Sequence, residues 1–186
     1  MKKIKKNFGI MLVLAGALGF YSCDKITTDV KVSDITLEMK EISVVADDAK
    51  GDGTLNKFRV TETFTLEEIA AEVMEYQKKI SDVTVGKVTI IISSKTGTEV
   101  KDFMLRADGI TKSFTLSEYK FGTPFVVTQK VADNLVDIGT QVLLKLFSDG
   151  KITLTALGST DMEIGEKLDV KIIFGNLKLV VRPLKI

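Results

Sequence analysis

The stretch TQKVADNLVDIGTQVLLKLFSDGKITLTALG, residues 128–158, decides the fold, because it can be read in two ways. Val131, Leu135, Ile138, Val142 and Leu146 recur at helical spacing, and Ala132, Leu143 and Phe147 widen the stripe. Val142, Leu144 and Leu146 alone would instead alternate as a strand, turning through Ser148, Asp149 and Gly150 into KITLTAL. Both readings of 129–147 stand on the sequence. Five anchors on one template favour a helix to about Phe147, with Gly150 near its C-terminus. Gly139 argues against it, since glycine inside a helix costs about 1 kcal/mol relative to alanine.

Working outward, TLEEIAAEVMEYQKKI (65–80) opens with Thr65 and Glu68 in capping-box spacing. Leu66, Ile69, Ala70, Val73, Tyr76 or Gln77, and Ile80 follow a helical period, which predicts a second amphipathic helix. Most of the remainder reads as strand. Val30 and Val32 alternate in one phase and Ile35, Leu37 and Met39 in the other, with a break at Ser33-Asp34 and a second before Ile42 and Val44. Phe58, Val60 and Phe64 share a face, predicting an antiparallel hairpin with the preceding run. Ile90, Ile91 and Ile92 in succession imply a strand covered on both faces. EVKDFMLRA and ITKSFTLSE flank a turn at Asp108-Gly109. Near the end Leu168, Val170, Ile172 and Phe174 share one face, then Leu177, Leu179 and Val181 share one. Gly175-Asn176 between them is either a two-residue hairpin turn or a bulge in one long strand. KKISDVTVGKVTIII and LKLFSDGKITLTAL echo each other and suggest two helix–strand units on one curved sheet. The expectation is an α+β fold: a mainly antiparallel β sheet or sandwich with two amphipathic helices packed on it. No Pro/Ser-rich linker divides the chain, so residues 30–186 read as a single β-rich domain.

Chemistry is sparse. The chain contains no histidine and one cysteine, which excludes Ser–His–Asp triads and Cys–His zinc sites within it. DAKGDGTLNKFR places Asp48, Asp52 and Gly53 at calcium-loop positions, but Lys50 and Arg59 stand where oxygen ligands are required, so it reads as a polar loop. SEYK (Ser117 to Lys120) and KTG (Lys95 to Gly97) have the form of penicillin-recognising motifs in the wrong order, with Ser117 after a β run. Glu68 with Glu72, and Asp133 with Asp137, are carboxylates one helical turn apart on polar faces, where they are solvated. No residue is assigned a catalytic, cofactor-binding or metal-ligating role, and no cofactor is expected.

The remaining feature is GALGFYSCDK (16–25), which holds Cys23. Lys2, Lys3, Lys5 and Lys6 precede an uncharged run from Phe8 to Tyr21, and the chain turns polar at Asp24. A basic start, a short apolar stretch and a small residue at the cut are the parts of a secretory signal. Fourteen helical residues rise about 21 Å, short of a hydrocarbon core of about 30 Å. The segment resembles a bacterial lipoprotein signal peptide. The lipobox of that family usually reads Leu, a small residue, then Gly, Ala or Ser before the cysteine. Here Phe20 and Tyr21 replace the first two, Ser22 fits, and the Ser-Cys junction is similar to those of Bacteroidetes-type envelopes. The resemblance implies that residues 1–22 are removed, that Cys23 carries the lipid, and that 23–29 form a short tether. It implies a cell-envelope location, with the periplasmic face of the outer membrane favoured because Asp24-Lys25 is a poor acidic export cluster.

Cleavage would remove four basic and no acidic residues, leaving 22 basic against 25 acidic, a net of −3. That balance excludes the basic footprint of a nucleic-acid binder. The expected function is a non-catalytic binding or interaction module held at a membrane through its N-terminal lipid, with an envelope protein as partner. The alternatives are a periplasmic carrier of an apolar ligand and an enzyme using carboxylates, Ser or Lys.

Overall fold

The computed structural model describes residues 28–46, 55–128 and 134–182. Its strands are β1 (Thr28–Val32), β2 (Ile35–Val45), β3 (Asn56–Thr65), β4 (Ile80–Thr84), β5 (Lys87–Ser94), β6 (Glu99–Ala107), β7 (Phe114–Lys120), β8 (Phe125–Val127), β9 (Lys151–Thr160), β10 (Lys167–Gly175) and β11 (Leu177–Val181). Two helices, α1 (Leu66–Ala70) and α2 (Leu135–Asp149), complete it with a 3₁₀ segment, Ala71–Lys79. The fold is α+β, mostly antiparallel sheet.

Three long antiparallel strands form its frame, and each is creased once. Val32 lies opposite Leu177 and Ile35 opposite Phe174, so two residues intervene on each strand and the register is kept across the break. The same holds on the other side, where Gly175 faces Lys87 and Lys178 faces Thr84. β1–β2, β11–β10 and β4–β5 are therefore single strands bent at one level. The crease requires small residues. A Cβ on Gly86 would lie 2.8 Å from Asn176 Cβ, and Asn176 takes φ 55°. Gly175-Asn176 is thus a kink in a continuing strand, and no hairpin forms there.

On one side of the crease β2, β10 and β5 line up apolar rows. Phe174 sits between Ile35 and Val88, Ile172 between Leu37 and Ile90, and Val170 between Met39 and Ile92. The row is then offset by a bulge. Lys40 and Glu41 together oppose Asp169, Glu41 takes φ 52°, and its N–H donates to Asp169 Oδ1 at 2.8 Å. The offset restores Ile42 and Val44 to the buried face, which accounts for the second phase break in the sequence. In β5, Val88, Ile90 and Ile92 are buried on the inner face, and on the other Thr89 is buried and Ile91 half-buried.

The eight-stranded sheet runs β7-β6-β9-β3-β2-β10-β5-β8. β2 and β3 pair only at Val44–Phe58 and Val45–Lys57, after which β3 pairs with β9 along its whole length. The expected hairpin is therefore a hinge between two four-stranded halves, and α1 packs against both strands where they part. The opposite seam is closed by the short β7–β8 connection. There the Ile92 N–H donates to Tyr119 Oη (2.9 Å), Gly122 N–H donates to Ile92 O (2.8 Å), and the Phe114 and Phe125 rings lie 5.6 Å apart. The result is a sandwich closed on both sides, with one contiguous apolar core.

Of the two readings of 128–158, the helix holds. α2 starts after Asn134, whose Oδ1 accepts from the N–H groups of Val136 and Asp137 (3.0 Å each). It ends at Gly150 in the left-handed region (φ 74°), whose N–H donates to Leu146 O at 2.9 Å. Val131 and Ala132 lie outside the described residues. α2 packs against β9, β5, β4 and the 3₁₀ segment, and is buried around most of its girth. Helix 65–80 begins as expected, with both halves of the capping box made. At Ala70 the backbone leaves helical geometry (φ −149°, ψ 59°) and continues as 3₁₀ helix. Ala70 and Val73 buried, with Tyr76 half-buried, repeat every third residue, the period of that tighter helix. The echoed units agree in part: their Lys-led runs, β5 and β9, both enter the large sheet, but in the first unit β4 intervenes and joins β1 and β11 in a three-stranded sheet, ordered β1-β11-β4.

Candidate functional site

The strand pairing sorts the loops into two ends. The end of β2, the start of β3 and the β5–β6, β7–β8 and β9–β10 turns lie at the end of the large sheet farthest along the strands from the crease. We call this the distal rim. β1 and β11 run from the crease the other way, so Thr28 and Val181 are paired at the opposite end of the same strands.

The rim is organised by hydrogen bonds between its loops. Val44 N–H donates to Glu166 O and Gly165 N–H donates to Val44 O, both at 2.9 Å, which lays the β9–β10 loop along the end of β2. Asn56 Nδ2 donates to Met162 O (2.8 Å). Asp161 holds the β5–β6 turn, accepting from Thr98 Oγ1 (2.6 Å), Thr98 N–H (2.9 Å) and Glu99 N–H (3.2 Å). Burial pushes the Asp161 carboxyl up, but these hydrogen bonds together outweigh it and hold it below the usual carboxylate range. On this rim stand Val45 and Ile164, 51% and 63% exposed. They are two of four large apolar side chains so exposed among the described residues, with Met74 on the 3₁₀ segment and Val126 on β8. Exposed apolar groups on a strand end and on the loop hydrogen-bonded beside it offer a partner a contact at little ordering cost.

The residues picked out from sequence fall on strands, turns and helices or outside the described residues. Cys23, Asp133, and Asp48, Lys50, Asp52 and Gly53 lie outside the described residues. Arg59 is exposed on β3. Ser117 and Lys120 are exposed on β7, and Lys95 to Gly97 lie in the β5–β6 turn, so neither piece begins a helix. Glu68 is engaged with Thr65 Oγ1 (2.7 Å), and Asp137 accepts from Gln141 Nε2 (3.2 Å). Among the described residues no group of three or more His, Cys, Asp or Glu is placed to hold a metal. Nor is any described helix long and apolar enough to cross a membrane.

One ionisable group escaped the sequence reading. Glu62 occupies the inward phase of β3, between Val60 and Phe64, and is half-buried. Burial raises its pKa and the neighbouring Glu68 raises it further. The signal was a glutamate interrupting the Phe58–Val60–Phe64 alternation. Between α2 and the sheet, where a carrier would lodge its ligand, packing is close at Gly139: a Cβ there would lie 2.9 Å from Val88 Cγ2 and 3.0 Å from Phe174 Cε1.

The fold thus defines a class: a β sandwich around one apolar core, with a buried helix. No family model matches the chain, and no curated protein matches it. Among solved structures it is similar to desmodium yellow mottle tymovirus (TM-score 0.39, 7% identity, 92% of this chain and 97% of that one). It is also similar to the decameric BFDV capsid protein (0.36, 9%, 84% and 98%). A third is the semi-empty particle of the Macrobrachium rosenbergii nodavirus of the giant freshwater prawn (0.33, 8%, 88% and 98%). At these scores the likeness carries no argument.

Proposed function

We propose that this chain is a lipid-anchored cell-envelope protein, most readily of the outer membrane's periplasmic face, that acts as a non-catalytic binding module. Its lipid is carried by Cys23 and its partner, an envelope protein, is engaged by the distal rim. The observation that carries this reading is the opposition of the two ends. Thr28, five residues after Cys23, starts the strand whose far end bears Val45 beside the loop of Ile164. A tether at one end leaves the other free to face a partner, and confinement to the membrane raises the effective concentration of the pair.

Native mass spectrometry of the protein from its own envelope, beside Cys23→Ala, tests the anchor. A diacylglyceryl mass present in the first and absent in the second is the expected result; an unmodified Cys23 sinks it. A photo-crosslinker at Ile164 tests the rim. It is expected to give one discrete adduct that Val45→Glu abolishes, while a crosslinker at Thr115 on the sheet face gives none. Equal labelling from both positions would exclude the rim as the binding face.

A further inference from the structure

We infer that the free end of the three-stranded sheet is a foot that rests on phospholipid headgroups, with Lys79 and Arg182 as its cations. This rests on the lipid-anchor reading of Cys23. Four residues, 24–27, separate Cys23 from Thr28. Five Cα–Cα steps span at most about 17 Å. A lipidated Cys23 sits at headgroup level, so the strand end at Thr28 is held within that distance of the phosphates.

The residues brought there follow from the pairing. Thr28 lies opposite Val181, and Val181 opposite Ile80. One position beyond this row, Arg182 N–H donates to Lys79 O at 2.9 Å, which sets the two cationic residues side by side. Arg182 is exposed and Lys79 half-buried, and neither side chain joins an ion pair among the described residues. Two described carboxylates near them are set back by a row and engaged. Asp29 pairs with Lys178 Nζ at 2.7 Å, and Asp82 Oδ1 accepts from Val83 N–H at 2.8 Å. Among the described residues the end row therefore presents two cations outside any ion pair. Each can extend its aliphatic stem along the sheet while its charge reaches the interface.

At an anionic surface a Lys or Arg within a Debye length, about 8 Å at physiological salt, gains about 1 kcal/mol, or about fivefold in occupancy of the bound orientation. Two such contacts favour the upright orientation about 25-fold over one in which the foot is lifted.

The test uses the lipidated full-length product. Its acylated Cys23 is no longer a free thiol, so an introduced cysteine is the only one. Nitroxides at Lys79→Cys, Arg182→Cys and Ile164→Cys are read for collision with oxygen and with an aqueous nickel chelate. The vesicles are phosphatidylcholine with 30% phosphatidylglycerol, or phosphatidylcholine alone. Each single replacement leaves the other cation in place. The expected result is headgroup depth at 79 and 182 in the anionic vesicles, retreat toward the aqueous value in neutral vesicles or 1 M salt, and an aqueous reading at 164 throughout. Labels at 79 and 182 that match 164, or that ignore lipid charge, overturn the foot. A sample whose mass shows no acyl group overturns the anchor, and the foot with it. The two failures are distinguished in one preparation.

Discussion

Tyr119→Phe probes the closure of the sandwich. The hydroxyl oxygen is the sole heavy atom removed, so the ring keeps its place on the inner face of β7, where it is 6% exposed. What is lost is the acceptor for the Ile92 N–H of β5, held at 2.9 Å in buried surroundings, beyond the point where β8 ceases to pair. A buried donor left without a partner costs about 1–3 kcal/mol. In a domain of this size each kcal/mol lowers the midpoint by about 2–4 °C, so a fall of about 2–12 °C is expected. Urea unfolding should show a lower midpoint at an unchanged slope, since little exposed surface changes. Amide exchange should speed up at Ile92 before it does at Ile172. The pH dependence supplies a second reading. Burial raises the Tyr119 phenol, with the Ile92 N–H opposing, so the folded state holds this proton more tightly than the unfolded one. That contribution is complete below the unfolded value near 10 and is lost as pH rises through the folded value. The gap between wild type and Tyr119→Phe should therefore narrow in strong alkali. A variant as stable as wild type at pH 7, with Ile92 exchange unaltered, would refute the role given to this hydrogen bond.

Other substitutions test other parts of the frame. Gly139→Ala should destabilise by about 1–3 kcal/mol by overpacking against Val88 and Phe174, despite its gain of about 1 kcal/mol in helix propensity; a rise in the thermal midpoint would contradict the packing. Asp161→Ala should cost about 1–3 kcal/mol at pH 7 and loosen the rim, read as faster exchange at Thr98 and Glu99. Because the Asp161 carboxyl is depressed in the fold, its contribution stands above the unfolded value and is lost as pH falls through the folded one. The Ala variant should then be the less acid-sensitive of the two, as acid-titrated melts would show. Glu62→Gln should raise the thermal midpoint at pH 7 and leave it nearly unchanged at pH 3. The raised carboxyl of Glu62 favours the fold below its unfolded value and loses that advantage as pH rises, so a variant less stable at pH 7 would argue against it.

What was legible in the sequence followed from periodicity that packing had enforced. Leu168, Val170, Ile172 and Phe174 announced their shared face because all four are buried, the last three between buried neighbours on both sides. Thr65 and Glu68 marked a helix start through a purely local pair of hydrogen bonds. The breaks of phase at Ser33-Asp34 and before Ile42 were visible, but not that the first is a crease shared by three strands. That depends on Gly86 and Asn176 meeting across strands far apart in sequence. Gly139 spoke against a helix by propensity, whereas it permits the close approach of α2 to β5 and β10, a tertiary demand. β8 is three residues long and carries too little pattern to stand out. The 3₁₀ continuation after Ala70 is hidden because residues 66, 69, 70 and 73 satisfy the α period equally well. Of the proposed functional features, Cys23 is written in the chain as local chemistry. Val45 and Ile164 are not, since an exposed aliphatic residue looks like a core residue until the fold places it.

The creased strands also have a mechanical meaning. A pull on residues before Thr28, directed away from the rim, runs along the axis of β1 and through the crease into β2. The hydrogen bonds joining β1 to β11 and β2 to β10 lie across that axis, so they are strained together in shear. With the register kept across the bend, load passes from five pairs of residues to the longer ladder beyond it without meeting a loop end. A body tethered in this way resists a tug on its leash at many points at once, and transmits it to the rim as tension in a single continuous strand.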